Sequence, residues 1–137
     1  GPRSHPRCTH ESIVLVSLAL SVAAFGGLGA VLRYVMDNLI TRVAGSNFPL
    51  GTWTINILGS IAIGVLTGWL VVAHPNHHAY ALWGTGLLGG FTTASTFGVE
   101  VASLATGGRM AAACLSALSC MALALGGGAL GFWVAGG

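Results

Sequence analysis

Lysine is absent from this 137-residue chain, and only 6% of its residues are charged. Beyond Ser12 the charged side chains are Arg33, Asp37, Arg42, Glu100 and Arg109. A soluble domain carries roughly 25% charged residues, so this chain cannot cover itself with a hydrated surface. That shortage excludes an ordinary cytosolic enzyme, a nucleic-acid-binding domain and a disordered tail. The formal net charge of +2 is too small to call for an acidic partner. Catalytic signatures are missing too: there is no His-Glu-x-x-His, no Ser-x-x-Lys pair and no acid dyad. Cys8, Cys114 and Cys120 have no metal-ligand spacing and read as buried apolar thiols. His74, His77 and His78 read as a polar loop in preference to a metal site. What is abundant is apolar: 54% of residues are hydrophobic and 22 are glycine, the composition of a polytopic membrane protein.

A membrane-spanning helix needs about 20 apolar residues to cross a hydrocarbon core roughly 30 Å thick. Four stretches satisfy this, at 13–34, 51–73, 79–105 and 110–135. The first, Ile13–Leu32, is longer than the apolar core of a signal peptide and lacks a clear cleavage site. The expected architecture is an all-α integral membrane protein of four transmembrane helices, multi-pass in the inner (plasma) membrane of the cell. Residues 1–12 read as a polar N-terminal tail and 13–137 as a single four-helix membrane domain. Tyr34, Trp53, Trp69, Tyr80, Trp83 and Trp133 all fall near the expected helix ends, where amphipathic rings sit at the membrane interface.

Four helices put both termini and the second loop on one side, with Arg3 and Arg7. The other side carries Arg42 and Arg109, with Arg33 if it is counted as flanking. This balance leaves the positive-inside rule nothing to act on, so the chain is expected to insert both ways and pair head to tail as an antiparallel, dual-topology dimer. The alternative is that a partner or the tail decides orientation. Small-residue spacing at Gly64/Gly68, Gly86/Gly90 and Gly126–Gly128/Gly131 permits close helix approach and supports association.

Polar groups inside hydrocarbon need a reason. The densest set is Gly89-Gly90-Phe91-Thr92-Thr93-Ala94-Ser95-Thr96-Phe97, at the midpoint of the third span. Two glycines followed by four hydroxyls in five residues are poor material for a continuous helix, so the spacing predicts a helix broken at its centre. Freed carbonyls suit a small cation such as Na⁺, whereas a half-helix N-terminus with hydroxyl donors suits an anion. The competing reading has the hydroxyls bonding back to their own helix. On the second span Thr52, Asn56 and Ser60 share a face. The Asn56 amide either donates to a dehydrating anion or holds the bundle together, and spacing does not choose between them. Arg33 and Asp37, one turn apart, either pair with each other or serve separately, Arg33 drawing anions or snorkelling to the headgroups. Glu100 faces either a water-filled vestibule or the interface.

Three motifs, in order and on the right spans, resemble the Fluc (CrcB) fluoride channel family. They are Gly26-Gly27-Leu28-Gly29-Ala30-Val31-Leu32-Arg33-Tyr34, Gly51-Thr52-Trp53-Thr54-Ile55-Asn56-Ile57-Leu58-Gly59, and Gly89 to Phe97 followed by Glu100. The resemblance covers nearly the whole chain from Gly26 onward. It implies a fluoride-selective channel that exports fluoride passively and relieves its toxicity, built as an antiparallel homodimer with two pores and one central structural Na⁺. By the same resemblance the carbonyls of Gly89 and Thr92 from both subunits hold the Na⁺. Asn56 lines the pore, Phe97 offers its ring edge to fluoride, and Thr93, Ser95 and Thr96 occupy the matching polar stretch. Arg33 sits at the vestibule, and Ser116 and Ser119 are the span-four hydroxyl candidates. One departure stands out: the first phenylalanine of the family's pair is Ala94 here. The alternative it raises is a non-conducting or half-competent subunit that pairs with a paralogous chain. A small dual-topology multidrug or cation transporter is a more distant alternative, disfavoured because no carboxylate lies at a span centre.

Overall fold

The structure, a computed structural model, describes residues 6–137, with side-chain surroundings from Thr9 onward. Arg3 and the side chains of Arg7 and Cys8 lie outside the described residues. Among the described residues every regular element is helical. Three helical stretches are long and apolar enough to cross a membrane, Thr9–Ala44, Leu50–Ala73 and Met110–Gly136.

The first helix, α1 (Pro6–Ala44), is longer than the expected span at both ends. Residues 6–12, the described part of the expected polar tail, continue this helix. Once a helix is nucleated, each further residue adds a hydrogen bond at little cost. At its other end α1 runs ten residues past Tyr34 and stops where Gly45 takes a φ of 81°, a left-handed conformation that favours glycine. Arg33 therefore lies within a helix and not at its end. The second span is α2 (Leu50–Thr67), prolonged by a π-helical segment, Gly68–Ala73.

The third span differs in kind. It comprises α3 (His77–Tyr80), a π-helical segment Ala81–Leu88, α4 (Gly89–Phe91) and α5 (Ala94–Thr106). Between α4 and α5, Thr92 (φ −77°, ψ 150°) and Thr93 (φ −147°, ψ 116°) are extended. The glycines close the preceding helix, and the two β-branched residues carry the non-helical backbone. A tight turn at Gly107-Gly108 leads into α6 (Met110–Gly136).

Glycines set how the helices meet. Along α2, Gly64 abuts the Gly128 carbonyl of α6, and a Cβ on Gly68 would lie 2.5 Å from the Phe132 carbonyl oxygen. A Cβ on Gly131 would lie 2.8 Å from the Ile61 carbonyl oxygen. On the other side, a Cβ on Gly29 of α1 would come within 2.9 Å of the Phe91 amide nitrogen, and one on Gly90 within 3.0 Å of Gly26 Cα. Gly64, Gly68, Gly86 and Gly90 thus serve close contacts within the chain. The packed interior is small: Ile55, Leu70, Ala113 and Cys120 are its buried hydrophobic residues. Cys114 departs from the buried-thiol reading, since it faces outward from α6.

Candidate functional site

The extended pair at Thr92–Thr93 leaves backbone groups that the helix no longer satisfies, and neighbouring side chains take them up. Asn56 on α2 does most of this. Its Nδ2 donates to the Thr93 carbonyl at 2.8 Å, and its Oδ1 accepts from the Thr93 amide at 2.8 Å. Of the two roles open to this amide, the structure places it in the interhelical one, with one N–H to spare. Thr93 in turn caps α5, its Oγ1 accepting from the Thr96 amide at 3.3 Å. The Thr93 hydroxyl donates to Thr96 Oγ1 at 3.3 Å, and the Ser95 hydroxyl lies 3.4 Å away. Asn56, Thr93, Ser95 and Thr96 therefore form one hydrogen-bonded cluster. Phe97 follows on the next position of α5, half-buried.

Thr92 behaves differently. Its Oγ1 bonds back to the Leu88 carbonyl at 3.1 Å, and its methyl packs on Gly59. The competing reading of the hydroxyl cluster holds for this threonine and fails for Thr93. Gly89 is exposed beside it.

On α6, Ser119 accepts a hydrogen bond from Trp53 Nε1 at 3.0 Å and donates to the Ser116 carbonyl at 3.3 Å. Ser116 is fully buried, and its hydroxyl has no partner. Neither serine bonds to the Asn56–Thr93 cluster. Arg33 lies one turn beyond Gly29, hence one turn from the level of the interruption, with its Nε buried and unpartnered. It makes no ion pair with Asp37, whose carboxylate rests against Gly51.

Asp37 and Glu100 both line a cavity of about 330 Å³, open at one end of the bundle, together with Phe48, Ser103 and Arg109. Glu100 therefore faces this cavity. Thr52 is only 1% exposed, and its hydroxyl donates to Glu100 Oε2. Arg109 Nη1 donates to the Asn47 carbonyl, which ties the loop before α2 to the loop before α6. Sequence reasoning missed the Thr52–Glu100 and Trp53–Ser119 pairs. Thr52 was visible on the Asn56 face, but which span that face meets depends on helix packing.

An interrupted span clasped by a neighbouring helix, with hydroxyls at a half-helix N-terminus, defines a multi-pass membrane protein of the ion-transporting kind. A family model described as CrcB-like protein, Camphor Resistance (CrcB), matches residues 20–133, and the chain belongs to that family. Among curated relatives it is 42% identical over 120 residues to fluoride-specific ion channel FluC 1 of Leifsonia xyli subsp. xyli, covering 87% of each chain. It is 46% identical over 98 residues to fluoride-specific ion channel FluC of Novosphingobium aromaticivorans, covering 70% of this chain and 78% of that one. It is also 41% identical over 124 residues to fluoride-specific ion channel FluC 1 of Rubrobacter xylanophilus, covering 87% of this chain and 96% of that one.

Proposed function

We propose that this chain forms a fluoride channel, working as an antiparallel, dual-topology homodimer around a central Na⁺, with no enzymatic step. The observation that carries the reading is the clasped interruption at Thr92–Thr93 in a chain whose relatives are named fluoride-specific ion channels. Those names also favour conduction over the role of a silent partner subunit.

Fluoride is small and strongly hydrated, so a pore must replace its water with donors that hold it without trapping it. The hydroxyls of Thr93, Ser95 and Thr96, the spare Asn56 N–H and the N-terminal end of α5 are such donors at mid-span. The Phe97 ring edge carries partial positive charge and tolerates an anion. The Arg33 guanidinium supplies the attraction that draws anions inward. Ser116, with a hydroxyl that no protein group uses, and Ser119 extend the polar lining along α6.

Extended backbone at this depth survives only where protein or a water-filled cavity covers it. Thr85, Gly89, Ala94, Ser95 and Gly98 are nonetheless exposed on the lone chain. A second copy placed on this face would cover them, and the balanced arginines permit the opposed orientation. The residues present fit a Na⁺ there. In a continuous helix the Gly89 carbonyl would accept from the Thr93 amide and the Thr92 carbonyl from the Thr96 amide, but both amides are engaged by side chains. Two such carbonyls from each copy offer oxygen ligands to a hard cation, which would bind the two copies together.

Fluoride efflux from liposomes that contain only this purified chain, read with a fluoride electrode, tests the reading. Rapid efflux that Phe97→Ile nearly abolishes is expected. Silence of the lone chain, with efflux restored by a paralogous chain, would return the heterodimer. For topology, a single cysteine at Asn76 should be labelled from both sides of the membrane; labelling from one side only would sink the dual insertion.

A further inference from the structure

We propose that Asn56 is a positioning residue for the cation site: by bonding the backbone of Thr93 it keeps the third span interrupted and the Gly89 carbonyl free. This role is separate from lining a pore, and it rests on the Na⁺ reading above. An extended residue presents its N–H and C=O on the same edge, as a strand does to its neighbour. Thr93 is in that conformation, and the Asn56 carboxamide meets both groups at 2.8 Å, as an adjoining strand would. A carboxamide carries a donor and an acceptor side by side on one carbon of a short planar head. A carboxylate offers the acceptor alone, and an aliphatic chain offers neither.

The consequence lies one turn back. With the Thr93 amide held by Asn56 Oδ1, it cannot close the helical bond onto Gly89. Gly89 adds no Cβ to shield its carbonyl, and a Cβ there would find only the Gly84 oxygen, 3.9 Å away. Thr93 Oγ1 repeats the device by holding the Thr96 amide away from the Thr92 carbonyl. Two side-chain oxygens thus replace two backbone oxygens as acceptors, and the backbone oxygens are released. Without Asn56 the Thr93 amide would recover its partner by closing onto Gly89, and the ligand would be lost.

The test is thermal unfolding of the purified protein in detergent, with NaCl compared against N-methylglucamine chloride. A cation that binds only the folded state raises the unfolding midpoint by mass action. The wild type should show this Na⁺-dependent rise, and Asn56→Leu should lose it. Asn56→Asp keeps an acceptor for the Thr93 amide and should keep the rise, as should Ser60→Ala on the same face. Retention of the rise in Asn56→Leu, or its loss in Asn56→Asp, would overturn the positioning role and leave the Na⁺ site standing. No rise in the wild type would instead remove the Na⁺ reading itself, and this inference with it. Should Asn56→Leu fail to fold, through-hydrogen-bond NMR coupling in the wild type decides. Coupling between Thr93 ¹⁵N and Asn56 ¹³Cγ supports the proposal, and coupling to the Gly89 carbonyl carbon overturns it.

Discussion

Where α2 crosses α6, backbone meets backbone: Gly64, Gly68 and Gly131 bring carbonyls of one helix against bare Cα atoms of the other. Where α2 crosses the third span, side chains make the joins: Asn56 bonds the Thr93 backbone, and Thr52 bonds the Glu100 carboxylate. Both regions lie in the same apolar layer on the same helix. The first stays helical throughout and gains close packing, so it behaves as scaffold. The second gives up helical bonds and replaces them one by one, so it holds polar groups at a depth where lipid could not satisfy them. Helix α2 carries both kinds of contact, the closest backbone approaches toward α6 at Gly64 and the Asn56 and Thr52 bonds toward the third span.

The contrast breaks most visibly at Gly64. In Gly64→Ala the new Cβ would sit 2.8 Å from the Gly128 carbonyl carbon, and backbone cannot move aside as a side chain can. Destabilisation of about 3 kcal/mol is expected from such overpacking, read as a lowered unfolding midpoint in detergent. Gly126→Ala is the control, since nothing lies within 4 Å of a Cβ there, and it should be close to neutral.

On the polar side, Thr52→Val keeps the shape of the side chain and removes the donor to Glu100. Glu100 is half-buried, so an acceptor left without its partner there costs about 1 kcal/mol, the low end for a buried group, which thermal unfolding would register, while Thr52→Ser should recover most of it. A Thr52→Val protein as stable as wild type would mean that water in the vestibule replaces the hydroxyl.

Ala94 sharpens the comparison inside the polar region, because it is exposed beside the cluster and lacks the ring that the family pattern carries. One anion–ring-edge contact is worth about 0.5–1.5 kcal/mol, by analogy with aromatic pairs. Ala94→Phe should therefore raise fluoride flux roughly a few-fold to tenfold, at about 1.4 kcal/mol per decade. A fall in flux would mean that Ala94 belongs to a differently shaped pore. The smallest effect is expected where the two regions touch. Trp53→Phe loses the hydrogen bond to Ser119, worth about 0.5–1 kcal/mol in stability, and should lower the unfolding midpoint slightly.

Much of the polar region was legible beforehand. The run from Gly89 to Thr96 marked the interruption because glycine pairs and clustered hydroxyls conflict with a continuous apolar helix wherever they are placed. The placement of the extended residues at Thr92–Thr93 depends on which amide Asn56 captures. The glycine spacings announced close approach but not the partner, because small residues permit contact without selecting a helix. The end of α1 was misjudged for a related reason. Hydropathy marks where a helix leaves hydrocarbon, not where its hydrogen bonds stop, and α1 continues through polar residues at both ends.

By itself the sequence determined the membrane class and the weak point of the third helix, because these follow from local composition against a slab of fixed thickness. Only the tertiary structure decided that Asn56 clasps Thr93, that Thr52 holds Glu100, that Arg33 and Asp37 stay apart and that Ser116 is left with a free hydroxyl. Each of those outcomes depends on the rotation and depth of one helix against another. Those are set by backbone contacts between residues far apart in the chain, which no local pattern encodes.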